Sequence, residues 1–370
     1  MSAALDALGA LDVAARADRV RAGFADAGVD ALVVTRLVNV RYLTGFTGSA
    51  GVVALTPDAL VLVTDGRYTE QAALQTEQAG VAAEVVIGAT ADVQLDAVRS
   101  ALAGLERIGL ESHGVTWAQQ RVYERAFADA TLVATVDVVE AVRRRKEPGE
   151  IDRIRAACAI ADDALTELLP TLADGPTEIE FALALEFGMR RRGASGVSFE
   201  PIVAAGPNGS RPHARPSERR IGRGELVVVD FGCVVDGYCS DMTRTVSVGE
   251  PSPDAVHVWE TVLAAQAAGR AAVGPGVALA AVDAAARTVV DAAGFGEAFS
   301  HGTGHGVGLE IHEAPRVART ASGTVLPGDV VTVEPGVYLP GVGGVRIEDT
   351  LVVTEDAAEA LTEFPKFLVV

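Results

Sequence analysis

Lysine is almost missing from this chain: of 31 Lys and Arg residues, only Lys146 and Lys366 are lysine. The arginine excess reads as genomic bias and carries no functional message. Positive charge as a whole is short, with 31 basic against 50 acidic residues, a formal charge of −19 and a sequence pI near 4.7. So acidic a chain is repelled by a phosphate backbone and by an anionic membrane surface, which excludes nonspecific nucleic-acid and membrane partners. Cysteine is also scarce. Cys158, Cys233 and Cys239 are too few for a disulfide framework and read as small buried residues, although the last two flank a predicted hairpin tip. No apolar run approaches the ~20 residues needed to span a bilayer. The opening "MSAALDALGALDVAARADRVRAG" has no basic start followed by an apolar stretch, so no secretory signal is expected. Together these absences point to the cytoplasm. A length of 370 residues leaves room for two domains and a substantial core.

The first part alternates helical and strand patterns. "LDVAARADRVRAGFADAG" has helical periodicity and ends at Gly28, "DALVVT" is a short apolar strand, and "GVVALTPDALVLVTDG" is two strands joined through Pro57 and Asp58. Helix-like "RYTEQAALQTEQAG", strand-like "AEVVIG" and "RIGLE", and a helix beginning near Trp117 follow. This alternation predicts a smaller α/β domain over 1–145. The charged "RRRKEPGE" at 143–150 marks a boundary, and a long helical pattern, "EIDRIRAACAIADDALTELL", opens the second domain, 146–370. That domain carries a weak internal repeat. "LADGPTEIEFALALEFGMRRRGA", with Thr177 and Glu180 as a capping box, is matched by "AAVGPGVALAAVDAAARTVVDAAGF". "GRGELVVVDFG" is echoed by "LPGDVVTVEPG", aligning Gly224 with Gly328 and Asp230 with Glu334. Two similar halves predict a pseudo-symmetric α+β domain with its site between them.

Histidine is used unusually. "HGTGHGVGLEIHE", 301–313, holds three of the six histidines among four glycines. His301 and His305 have the spacing of a helical metal pair. Yet Gly302, Gly304, Gly306 and Gly308 would each cost about 1 kcal/mol against alanine in a helix. Glycine belongs where backbone bends or approaches another group closely. The stretch therefore reads as strand and loop lining a site.

Acids supply the rest of that site. Asp230 ends the apolar strand "LVVVD", where a carboxylate is out of place unless paired or bound to metal. Asp236-Gly237 signals a hairpin. A turn centred there sets Asp241 opposite Gly232, and a turn one residue earlier sets it opposite Asp230. In both registers Asp230 and Asp241 share a face. Glu334, at the end of "DVVTVE", and Glu348, beyond the turn at Gly341, Gly343 and Gly344, repeat the arrangement with the same parity. Any one of these acids alone is a solvated strand end or a partner of Arg244 or Arg346. Four acids on two matched hairpins, beside a glycine-flanked histidine, repel one another and call for cations. An oxygen-rich set with one imidazole suits Mn²⁺, Co²⁺, Fe²⁺ or Zn²⁺. Five side chains exceed what one tetrahedral zinc uses and fit two ions ~3.5–4 Å apart, which activate water and polarise a carbonyl. Hydrolysis is the chemistry implied.

At these residues the chain resembles the pita-bread metallopeptidases, a family that includes methionine aminopeptidase, prolidase and aminopeptidase P. "VVVDFG", "SDMTRT", "HGTGHGVGLEIHE", "VTVEPGVY" and "VRIED" match its five metal-ligand blocks in order. "GFTGSAG" and "TDGRY" resemble the creatinase-like N-terminal domain of the proline-specific members. The resemblance implies a pita-bread catalytic domain behind a creatinase-like one. It implies that Asp230 holds one ion, His305 and Glu334 the other, and Asp241 and Glu348 bridge. It further implies that Glu334 helps deprotonate water, that His213 and His312 bind substrate and stabilise the oxyanion, and that His301 stands near the substrate. Arg346 would orient a carboxylate ligand, and Tyr338 would either line the pocket or pack in the core. His113 and His257 match nothing and read as structural or exposed.

The activity implied is that of an Xaa-Pro aminopeptidase dependent on two divalent ions, most simply Mn²⁺, with short proline-containing peptides as substrate and a homodimer as assembly. The alternative is a dipeptidase restricted to Xaa-Pro, in which Arg316, just after "HEAP", grips the free carboxylate. A metal-free creatinase-type hydrolase and a non-catalytic binding protein on the same fold are further alternatives, and the full ligand set argues against both.

Overall fold

A computed structural model describes Leu5 and residues 8–370 of the chain. The first residues of the N-terminal stretch read above for a signal lie outside the described residues. Two compact units are present: Leu11–Arg143, and Arg144–Val370 together with residues 8–10. Among the described residues no helix is long and apolar enough to cross a membrane.

The smaller unit is a six-stranded mixed sheet in the order Glu84–Ile87, Leu60–Thr64, Val52–Leu55, Ala31–Val34, Arg107–Glu111, Thr131–Thr135. The Pro57-Asp58 connection does form a hairpin, with Leu55 opposite Leu60. The periodic segment ending at Gly28 is broken into a 3₁₀ turn, Val13–Ala15, and helices Arg16–Arg21 and Phe24–Ala27. Helix Leu37–Thr44 is absent from the sequence reading. Its N-terminal amides are satisfied by a carboxylate far along the chain: Glu111 accepts from Arg36 N at 2.8 Å, from Thr35 N at 2.6 Å, and from the Asn39 amide at 2.6 Å.

The larger unit is built twice over. Helices Pro148–Leu168 and Glu178–Arg191 precede an antiparallel sheet of Ile202–Ala205, Leu226–Phe231 and Met242–Ser247. Helices Pro253–Ala272 and Leu279–Ala292 then precede a sheet containing Gly304–Gly306, Val330–Val333 and Asp349–Val353. Both leading helices start on proline, where the missing N–H is no loss. The Thr177 cap is reciprocal: its hydroxyl accepts from Glu180 N, and its own N–H donates to Glu180 Oε2 at 2.7 Å. Helices and sheet of the first half bury Ile160, Leu165, Phe181, Leu185, Val227, Val229 and Phe231; those of the second bury Val258, Val262, Val290, Val337 and Val345.

The two hairpins have clean registers. Asp236 and Gly237 both take positive φ, 44° and 82°, as a two-residue turn of the tightest kind requires. Val235 faces Tyr238, and the same register carries on to Met242 opposite Phe231 and Thr243 opposite Asp230. The turn therefore sits on Asp236-Gly237, and of the two registers open to the sequence the one setting Asp241 against Gly232 is adopted. In the second half Val333 faces Asp349 and Gly336 faces Arg346, so Glu334 and Glu348 fall opposite each other.

Behind the second sheet Asp349 is fully buried among cations. It accepts from Arg244 at 3.0 Å, Lys366 at 2.6 Å, Arg270 at 3.2 Å and the Gln266 amide at 3.0 Å. Burial pushes its carboxyl up, but Arg244 and Lys366 outweigh that and hold it below the usual range. Removing this anion leaves buried cations without a counter-charge. Asp349→Ala is expected to lower stability by about 3–5 kcal/mol, measured by urea unfolding; a loss below about 1 kcal/mol would show the cluster to be dispensable.

Candidate metal centre

The strand ends and hairpins converge on one cavity of about 620 Å³ in the larger unit. Its wall includes nine of the side chains singled out in the sequence: His213, Asp230, Asp241, His301, His305, His312, Glu334, Arg346 and Glu348. Arg316 lines it too, whereas Tyr338 does not and is buried behind the wall. His113 is exposed in the smaller unit, and His257 leans on Phe295. The three cysteines are free and buried.

His305 sits mid-strand in Gly304–Gly306, not on a helix. Glycine is required beside it, because a Cβ on Gly304 would stand 1.9 Å from the Thr332 carbonyl oxygen. The His305 ring is oriented by Nδ1, 3.0 Å from the Gly306 carbonyl. That oxygen can only accept, so Nδ1 carries the hydrogen and Nε2 presents a lone pair. Nε2 points at two carboxylates, with Asp241 Oδ2 and Glu334 Oε1 each 3.5 Å away. Desolvation takes the His305 pKa down to about 4, so the ring stays neutral.

Ligand atoms of Asp241, His305 and Glu348 all lie within 4.8 Å of one another. Glu348 Oε2 accepts from the Thr243 hydroxyl at 2.7 Å, while its Oε1 is buried without a partner. Asp230 is held by Arg346 through Oδ2, and its Oδ1 is likewise buried and unpartnered. Burial, then the neighbouring acids, push Asp241 and Glu334 far above the carboxylate range and Glu348 up to about 8. Lone pairs facing lone pairs, with two buried unpartnered oxygens among them, form an acceptor-only cage. A divalent cation fits that donor set.

Arg346 is the cation in the wall that bonds one of the acids directly. Its Nε donates to Thr243 at 3.1 Å, and Nη1 donates to the Tyr338 hydroxyl at 2.6 Å and to the Pro212 carbonyl at 3.2 Å. His301 closes the chain: Nδ1 faces the Gly302 carbonyl at 2.7 Å, and Nε2 accepts from Tyr338 at 2.9 Å. Both ring nitrogens are thus committed to protein atoms, and burial takes its pKa to about 4. His301, Tyr338, Arg346 and Asp230 form one hydrogen-bonded line. His312 is different. It is exposed on the cavity side, and its ring meets His305 edge to face at 4.4 Å. His213 is exposed on the loop after the 3₁₀ turn Gly206–Ser210.

The sequence reading missed three supporting residues. Asp283 and Arg287 pair at 2.9 Å, and Asp283 accepts from Thr303 N–H and hydroxyl, while Thr303 O accepts from Glu334 N at 2.8 Å. Their i, i+4 spacing was visible but looks like a surface pair. Glu313 lines the cavity against buried Lys146, and nothing local announces that contact.

The Metallopeptidase family M24 pattern matches residues 152–355, more than half the chain. The chain belongs to that family. The Creatinase/Prolidase N-terminal domain pattern matches residues 16–145. The fold is accordingly a pita-bread catalytic domain with a creatinase-type N-terminal domain, and divalent metal ions go with the family. The solved Xaa-Pro dipeptidase from Bacillus anthracis is 39% identical with a TM-score of 0.92, over 97% of this chain and 100% of that one. The X-Pro aminopeptidase from Thermotoga maritima MSB8 is 35% identical with a TM-score of 0.86, over 95% and 100%. The uncharacterized peptidase YqhT of Bacillus subtilis (strain 168) is 41% identical over 95% of this chain and 99% of its own length.

Metal ligands must be deprotonated, and here the carboxyl pKa values are raised while His305 is already neutral. Mn²⁺ binding is therefore expected to release protons and to tighten as pH rises from about 6 toward about 8.5. Titration calorimetry in buffers of different ionisation enthalpy measures this; pH-independent affinity without proton release would contradict the acceptor-only cage.

Proposed function

We propose that this peptidase is an Xaa-Pro aminopeptidase that cleaves the bond ahead of proline in short peptides, using two divalent ions, with Mn²⁺ the first choice and Co²⁺, Zn²⁺ or Fe²⁺ as alternatives. The observation that carries the reading is the neutral His305 lone pair converging with carboxylates in one cavity. Likeness to solved proteins named as Xaa-Pro dipeptidase and X-Pro aminopeptidase supports proline as the residue recognised. The N-terminal domain would span 1–145 and the catalytic domain 146–370. Cytoplasmic location is supported by the free cysteines, and a homodimer by the family resemblance alone.

In this reading Asp230, Asp241, His305, Glu334 and Glu348 hold the ions. When bound, these supply an activated water and a polarised carbonyl. The side chains do the remainder. Glu334, opposite Glu348, would in its carboxylate form accept a proton from water. His312, beside His305 and open to the cavity, donates to the oxygen that becomes negative. His213, on the opposite loop, meets the substrate as it enters. Arg346 fixes the Asp230 carboxylate and is itself fixed by Tyr338 and His301. An Xaa-Pro bond has no amide hydrogen, so the site must recognise ring and carbonyl instead of an extended backbone.

Arg316 favours a second reading, a dipeptidase. It is exposed on the strand Glu313–Val317 and lines the same cavity, where a free substrate carboxylate would find it. Activity on Xaa-Pro dipeptides and Xaa-Pro-Yaa tripeptides, assayed side by side, separates the readings. A chelator should abolish hydrolysis, and Mn²⁺ or Co²⁺ should restore it; chelator-resistant cleavage would overturn the metal mechanism. Arg316→Ala should weaken dipeptide cleavage by about ten-fold or more while sparing tripeptides. Equal losses on both would remove Arg316 from carboxylate recognition.

A further inference from the structure

The two lysines share a placement that composition alone does not explain. Lys146 Nζ lies 2.6 Å from Glu313 Oε1, with side chains 1% and 6% exposed. Lys366 Nζ lies 2.6 Å from the fully buried Asp349. Each carboxylate directly follows a residue of the site, Glu313 after His312 and Asp349 after Glu348. An ammonium is a compact point charge, whereas a guanidinium is a broad planar fork. In a chain that otherwise uses arginine, both lysines pair with a buried carboxylate, and Lys146 is itself buried.

Glu313 binds the loop that carries His312. A Cβ on Gly308 would stand 2.4 Å from Glu313 Oε1, so the carboxylate lies directly against that backbone. Glu310 N donates to Glu313 Oε2 at 3.4 Å, and Gly308 N donates to Glu310 O at 3.1 Å. The Gly308 carbonyl accepts from Cys239 N at 2.8 Å, and Gly306 pairs with Glu313 across the sheet. Lys146 is rooted at its other end. Its N–H donates to Gly328 O at 2.8 Å, and neighbouring Arg144 grips Asp329 with two bonds of 2.7 Å.

We propose that the Lys146–Glu313 ion pair is a positioning device for His312. The buried ammonium fixes the Glu313 carboxylate, the carboxylate fixes the loop from 307 to 312, and the loop holds the His312 ring across His305 and into the cavity. The idea rests on the reading of His312 as a group that meets substrate, but its test has a second leg that needs no substrate.

Three variants serve: Glu313→Gln, Lys146→Arg, and the double variant Lys146→Met/Glu313→Gln. The last removes both buried charges at once, which keeps a folded protein in hand where a single change strands one charge. Each is compared with wild type by imidazole NMR on chelator-treated protein, the His312 signal being assigned by its loss in His312→Asn. Each is also assayed on an Xaa-Pro dipeptide with Mn²⁺. In the folded variants the His312 resonance should shift as the ring leaves its edge-to-face contact with His305. Their kcat should fall ~10- to 100-fold with metal content unchanged and KM shifted less than about three-fold. An unmoved resonance with kcat within about two-fold of wild type overturns the proposal. So does a lowered melting temperature with kcat and resonance intact, which would make the pair a fold contact only. Failure of the wild type to cut any Xaa-Pro peptide refutes the peptidase reading instead, and the NMR comparison then decides this proposal by itself.

Discussion

The larger unit depends on one electrostatic conflict. Asp241, Glu334 and Glu348 face a neutral imidazole, acceptor against acceptor, in the wall of one cavity. Like charges in such a place cannot all ionise, which is why burial and mutual repulsion drive their pKa values upward. Arg346 bonds Asp230 directly and favours the charged form of the other three acids too, but burial outweighs it there. The chain keeps the remaining conflict unresolved because a dication resolves it.

The scaffold prevents the acids from relaxing apart. Thr243 is the joint between the halves: its hydroxyl donates to Glu348 and accepts from Arg346, and its carbonyl accepts from Glu348 N at 3.1 Å. Thr245 does the same for Arg346, accepting from its N–H at 3.0 Å and donating to its carbonyl at 2.8 Å. Further out, Arg287 and Asp283 pin the backbone at His301 and Thr303, and Asp349 with its cations pins the strand after Glu348. Each ligand therefore has a partner one or two bonds behind it. Such outer contacts orient a metal site as strongly as the ligands define it.

How much of this the sequence disclosed follows from range. Strand parity put Asp230 with Asp241, and Glu334 with Glu348, because period two is local and strict. The turn at Asp236-Gly237 was legible as a motif but not as a register, since only the positive φ of both residues settles it. Helix Leu37–Thr44 was invisible because its amide partners come from Glu111, more than sixty positions away. Asp283 and Arg287 were visible as a pair but not as buried, for the helix periodicity that places them is diluted by alanine on every face. Tyr338 was left between pocket wall and core; it is buried, and its hydroxyl serves Arg346 and His301 from behind, for a tyrosine near a site carries no mark of which side it occupies.

The same reasoning explains why charge is spent so differently in different places. On the surface the acid excess is diffuse, screened and replaceable. In the interior a buried acid is held by cations, as Asp349 is, or by neutral donors, as Glu111 and Glu178 are; at the cavity the acids outnumber their cations. An unpaired buried carboxylate is tolerated only when its surroundings are too rigid to rearrange around it. Rigidity here comes from the hydrogen-bonded pairs just behind the ligands, and those pairs are neutral or balanced. The imbalance is concentrated around Asp241, His305 and Glu348, whose ligand atoms lie within 4.8 Å of one another. A cage so narrow and so poor in donors favours a small cation of double charge over a proton on each acid, and that preference turns a destabilising cluster into a binding site.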